Sequence, residues 1–216
     1  TASGVASTAM GRETLASGSY STAMGHLTTA SGEASSAMGS STSATEINAT
    51  AMGWQTTASG NSSTATGYLT TASGESSSSM GRETLASGSY STAIGYLTTA
   101  SGEASTATGY LTTASGEAST AMGRSTSATE INATAMGWQT TASGNSSTAT
   151  GYLTTASGES SSSMGRETLA SGPYSTALGY VTTASGSAST VMGLGTIASD
   201  FGSLVIGQYN LSGSTV

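Results

Sequence analysis

The sequence predicts an all-β fold, a parallel β-solenoid with two short strands in each 14-residue coil and about 15 coils. Three observations carry this. The 216 residues fall into rows of 14 without an insertion, glycine recurs at two fixed places in the row, and the large apolar residues of a globular core are scarce.

Ser, Thr, Ala and Gly dominate the chain, which holds 30 glycines, one proline, one phenylalanine and no cysteine. Leu, Ile, Val and Phe together fall well below a fifth of the residues, too few for a conventional oily core. Disorder goes with high net charge and no fixed pattern; here the net charge is −7 and the pattern is strict.

Counted from Thr1, there are 15 complete rows and a six-residue tail, Leu211 to Val216. Residues 113–126 are a typical row, Thr-Ala-Ser-Gly-Glu-Ala-Ser-Thr-Ala-Met-Gly-Arg-Ser-Thr. Row position 11 is always glycine: Gly11, Gly25, Gly39, Gly53, Gly67, Gly81, Gly95, Gly109, Gly123, Gly137, Gly151, Gly165, Gly179, Gly193 and Gly207. These are expected to be structural turn residues. Position 4 is glycine in 12 rows, with Glu46, Glu130 and Asp200 as exceptions, and position 14 is Thr in every row but the last, which has Asn210.

Each row thus divides into two halves, and runs such as Thr28 to Gly32 or Ser119 to Gly123 alternate in character and stop at a residue that tolerates positive φ. This reads as strand, turn, strand, turn. So much Gly, Ser and Thr, with no 3.6-residue apolar spacing, argues against helix. Coils stacked at about 4.8 Å would extend roughly 70 Å.

Alternation gives each strand two faces. On the second strand, Ser and Ala at positions 7 and 9 face one way, and Thr and the residue at position 10 face the other. The small residues, with Thr 14 and Ala 2 of the first strand, are assigned to the coil interior. Position 10 then forms an outward ladder of Met10, Met24, Met38, Met52, Met80, Ile94, Met122, Met136, Met164, Leu178, Met192 and Ile206, with Thr in the other three rows. Such a ladder would expose on the order of 700 Å². Burying one methionine contributes roughly 2 kcal/mol, so the ladder is expected to be an interface between chains. The alternative is that methionine points inward and serves a monomer as its core.

Every Arg, Asp and Glu stands at positions 4, 5, 12 or 13, and these are read as turn positions. Position 12 also carries Trp54, Tyr68, Tyr96, Tyr110, Trp138, Tyr152 and Tyr180, several of them on consecutive coils. Rings stacked along one edge offer apolar surface with polar tips, suited to a sugar or protein ligand. The same ridge would equally serve to pack neighbouring chains or clamp the turn.

The motif Ser-Thr-Ala-Met-Gly-x-x-Thr-x-Ala-Ser-Gly resembles the head repeat of YadA-like trimeric autotransporter adhesins, whose pattern is Ser-Val-Ala-Ile-Gly-x-x-Ala-x-Ala-x-Gly. The resemblance covers essentially all of residues 1–210. It implies a left-handed parallel β-roll and a homotrimer. It also implies an extracellular or cell-surface fibre that binds a protein, a glycan or a surface. Here Thr stands for the family's Val at position 8, Met for its Ile at position 10, and Thr for its Ala at position 14.

Residues 29–98 recur as 113–182 with five differences: Ser36/Thr120, Ser40/Arg124, Ser89/Pro173, Ile94/Leu178 and Leu97/Val181. Repeating five rows together, six rows further on, favours length and multivalency over a single pocket. Residues 1–196 form the regular array, while residues 197–216 diverge, with Leu204, Val205 and Ile206 in place of Thr-Ala-Met. That segment is expected to be a C-terminal cap or the entrance to a neck.

Catalysis, cofactors and metals find no constellation. His26 is the single histidine, with no nucleophile and orienting partner set around it. Position-5 glutamates such as Glu103 and Glu117 lack the aspartate-rich loop of a calcium roll and read as a solvated face. Arg12, Arg82 and Arg166 precede Glu13, Glu83 and Glu167, exposed pairs of small worth. Four arginines make no basic patch for nucleic acid, and no apolar run approaches the roughly 20 residues of a membrane span. The expected function is a non-enzymatic adhesin or structural fibre. The alternative is ice binding by the Thr/Ser array at positions 1 and 3, which Leu15, Leu85, Leu169, Ser43, Ser127 and Ile197 interrupt.

Overall fold

The computed structural model describes residues 1–212. Gly213 to Val216, the end of the expected cap or neck segment, lie outside the described residues. The described chain is all-β and forms two compact units, Thr1–Tyr110 and Leu111–Val216. Each is a parallel β-solenoid with two strands per 14-residue turn.

In the first unit a five-residue strand recurs from Thr8–Arg12 and Thr22–His26 to Thr106–Tyr110, and a two-residue strand from Leu15–Ala16 to Thr99–Ala100. In the second, long strands run from Thr120–Arg124 to Leu204–Gln208 and short ones from Thr113–Ala114 to Ile197–Ala198. The expected count of about 15 coils compares with 15 long and 14 short strands among the described residues. The first row lacks a short strand because its Ala2 makes only an isolated bridge to Ala16. Within each unit a strand residue pairs with the one 14 further on, as Met10 with Met24 and Gly11 with Gly25.

The interior holds the small residues, as expected from the alternation. Ala16, Ala23 and Ala30 are fully buried, and so are Ser21, Ser35 and Thr28. Among the described residues only Val191 and Val205 are larger apolar residues in this interior. A buried methyl contributes about 0.8 kcal/mol, so each coil gains little from apolar burial and relies on its ladder of hydrogen bonds to the next coil.

Strand limits differ from the sequence expectation. The long strand continues through the position-11 glycine and ends at position 12, so His26, Trp54 and Arg82 are strand residues and not turn residues. Glycine permits this because its φ there lies between 117° and 132°, bending the strand without interrupting its pairing. The short strand covers only positions 1 and 2.

The left-handed turn residues are not the position-4 glycines but the residues at positions 6 and 13, such as Tyr20 (φ 59°) and Leu27 (φ 54°). Their conformation is fixed by hydrogen bonds to the preceding coil. Tyr20 N–H donates to Val5 C=O at 2.7 Å and Leu27 N–H to Arg12 C=O at 3.0 Å, whereas the first residue of a strand donates forward, as Thr8 N–H to Ser21 C=O at 2.9 Å. The first turn is closed by Ser21, whose N–H and hydroxyl both donate to Gly18 C=O, at 3.3 and 2.7 Å. Its third residue has positive φ, as in a type II turn. Position-4 glycine serves close approach instead: a Cβ on Gly18 would stand 2.0 Å from Gly32 O.

Candidate functional site

Two columns of large side chains run along the surface of each unit, one built from position 10 and one from position 12. Position 10 lies opposite the buried Ala of position 9 in the strand alternation, so it faces out. Met10 is 59% exposed; Met24, Met80, Met122, Met164 and Met192 are exposed as well, while Met38, Met52, Ile94, Met136 and Leu178 are half-buried. Ile206, in the last coil, is also exposed. The thioethers thus lie at the surface of each coil and contribute nothing to its interior.

Two residues along the same strand, position 12 forms a ladder of planar groups. In the first unit the Trp54 and Tyr68 rings stack at 4.5 Å and 12°, and Tyr96 and Tyr110 at 5.2 Å and 25°. Between the two pairs lies Arg82, its guanidinium carbon 5.3 Å from the Tyr68 centroid and 5.4 Å from that of Tyr96. Five consecutive coils therefore stack in the order Trp54, Tyr68, Arg82, Tyr96, Tyr110. Parallel pairing in register sets the spacing: strands about 4.8 Å apart carry groups of nearly matching thickness.

The second unit repeats the arrangement. Arg124 lies 5.7 Å from the Trp138 ring, Trp138 meets Tyr152 edge-on at 4.5 Å and 61°, and Arg166 stands 5.2 Å from both Tyr152 and Tyr180. Both sandwiched arginines keep the acid that follows them, Arg82 with Glu83 at 3.0 Å and Arg166 with Glu167 at 3.1 Å. Each of these guanidinium groups thus lies beside a carboxylate as well as between two rings.

All seven aromatic residues singled out in the sequence belong to this ladder. The sequence reading missed the arginines between them. Reading down position 12 every 14 residues gives the signal, since Arg82 follows Tyr68 and precedes Tyr96. Stacking also changes the chemistry on offer. Faces of the inner rings are covered by their neighbours, so a ligand meets ring edges and phenol hydroxyls; Trp54, Tyr68, Tyr110, Trp138 and Tyr180 remain about two-fifths exposed.

Elsewhere the surface is less organised. Position 1 of the short strand is mostly Thr but is broken by Leu15, Leu85, Leu169 and Ile197. The ice-binding alternative gains no support from so interrupted a column. The last coil lines an open hollow of about 650 Å³ with Leu204, Val205, Ile206, Tyr209, Asn210, Leu211 and Ser212. Among the described residues no group of three or more His, Cys, Asp or Glu side chains is placed to hold a metal ion, and no helix is long and apolar enough to cross a membrane.

The family model for the YadA head domain repeat matches the chain at residues 2–28, 16–42, 30–56, 44–70, 72–98, 100–126, 128–154 and 156–182. No curated protein matches it.

Proposed function

Because the chain belongs to the YadA head domain repeat family, we propose that it is a non-enzymatic, adhesin-type segment of an extracellular or cell-surface fibre, whose chains associate along the methionine and threonine ladder. A homotrimer is the assembly favoured, since the family resemblance implies three chains to a head. The repeats act together as a multivalent surface and not through one pocket.

The observation that carries this reading is the outward position-10 column. Met10, Met80, Met122, Met164 and Met192 are left 38–59% exposed on a protein whose interior is alanine, serine and threonine. Covering the part of each such residue that is still exposed with another chain adds on the order of 1 kcal/mol. The aromatic ladder at position 12 is the companion contact surface, offering edges and hydroxyls to an extracellular protein, glycan or other surface. Residues 197–216 would serve as the cap of the array or the entrance to a neck.

Sedimentation of the chain at tens of micromolar tests the assembly. A multimeric mass is expected, falling to that of one chain when Met52, Met122 and Met136 are changed together to Asp, with the β circular dichroism retained. A wild-type chain that sediments as a monomer overturns the proposed seam.

A further inference from the structure

The position-12 ladder of the first unit has one rung missing. Its residues run Arg12, His26, Ser40, Trp54 and onward, each in parallel register with the next. From Trp54 to Tyr110 every rung is flat and stacked. Ser40 supplies only a hydroxymethyl group. His26 and Trp54 therefore stand two strand spacings apart, about 9.6 Å, with a small side chain between them. A flat group in van der Waals contact on both sides needs about 7 Å. The indole of Trp54 lies within 12° of parallel to Tyr68, so its other face is turned along the column towards Ser40.

The duplicated block identifies what fits there. Ser40 and Arg124 occupy the same place in the two copies and are one of their five differences. Arg124 lays its guanidinium over Trp138, the counterpart of Trp54, at 5.7 Å. The two indoles are almost equally exposed, 39% and 38%, but Trp138 meets its tyrosine edge-on while Trp54 lies flat and keeps a face towards the gap. The nearest arginine in sequence, Arg12, stands two rungs from Ser40, on the far side of His26. The occupant must come from outside the chain, and a net charge of −7 favours a cation.

We propose that the gap over Ser40, between His26 and Trp54, is a binding site for the guanidinium group of an arginine side chain on a partner polypeptide. The incoming group completes the ladder by stacking on Trp54 as Arg124 stacks on Trp138. An ammonium group, compact and strongly hydrated, fills the gap less well than a planar guanidinium.

With Trp138 replaced by Phe, Trp54 is the single tryptophan and reports on the site by fluorescence. Titration with N-acetylarginine amide is expected to give a saturable change in Trp54 emission. N-acetyllysine amide should bind at least about threefold more weakly. Ser40→Arg, a substitution the duplicated block already carries, should fill the gap and abolish the response while leaving the circular dichroism unchanged. The site is overturned by an absent response, by equal binding of the lysine compound, or by a response that survives Ser40→Arg.

Discussion

Ser79 Oγ and Thr84 Oγ1 lie 2.7 Å apart inside their coil, and Ser163 and Thr168 repeat the contact at 2.7 Å. In the flanking coils position 9 is alanine, and the buried hydroxyls of Thr70 and Thr98 have no hydrogen-bond partner. A serine at position 9 therefore satisfies a polar group that most coils leave unpaired. Ser79→Ala should cost about 1 kcal/mol, since it removes the bond and leaves Thr84 like its neighbours. Ala93→Ser, in register with Ser79 and set to meet Thr98, should gain a comparable amount. Denaturant midpoints check both; a destabilised Ala93→Ser chain would contradict this account of the interior.

Glycine is required at position 11 for two independent reasons. Gly123 has φ 125°, and a Cβ on it would stand 2.0 Å from Gly137 O. Gly202 has φ 63° with nothing within 4 Å of its added Cβ, and Ala188, at the same row position one coil earlier, adopts φ 56°. Gly123→Ala is expected to cost about 1–3 kcal/mol from the backbone alone, and more from the clash with the next coil. Gly202→Ala should cost about 1 kcal/mol or less. Hydrogen exchange at the amides of Gly123 to Trp138 should accelerate in the first variant and stay unchanged in the second.

The coil was legible in the sequence because its columns recur without insertion: Ala 2, Ser 7, Ala 9 and Thr 14 stand on the inner side in row after row. The strand limits were not. Position-11 glycine signals a break, yet pairing of Gly11 with Gly25 and of Arg12 with His26 carries the strand past it. Likewise, the left-handed conformations fall on Tyr20, Leu27 and Val181, residues whose own preferences run against them. Hydrogen bonds from Leu27 to Arg12 and from Val181 to Arg166 overrule those preferences, and they exist only between stacked coils. The candidate site divides in the same way. Its rings were evident as pairs, but Arg82 and Arg166 were read with the glutamate that follows each in sequence and not with the rings 14 residues before and after.

Whether the rings or the acid hold Arg82 is open to direct measurement. The Arg82 side chain is 60% exposed and its pair with Glu83 is accessible to solvent, so the ion pair should contribute less than about 1 kcal/mol. Its two ring contacts should contribute about 0.5–1 kcal/mol each. Arg82→Lys keeps the charge but loses the flat faces, and is expected to cost more than Glu83→Gln, which leaves the sandwich between Tyr68 and Tyr96 in place. A double-mutant cycle of Arg82→Lys with Tyr96→Leu isolates one contact and should give a coupling of about 0.5–1 kcal/mol that persists in high salt. If Glu83→Gln carried the larger loss and the coupling vanished with salt, the guanidinium would be an ion-pair partner that merely lies near the rings.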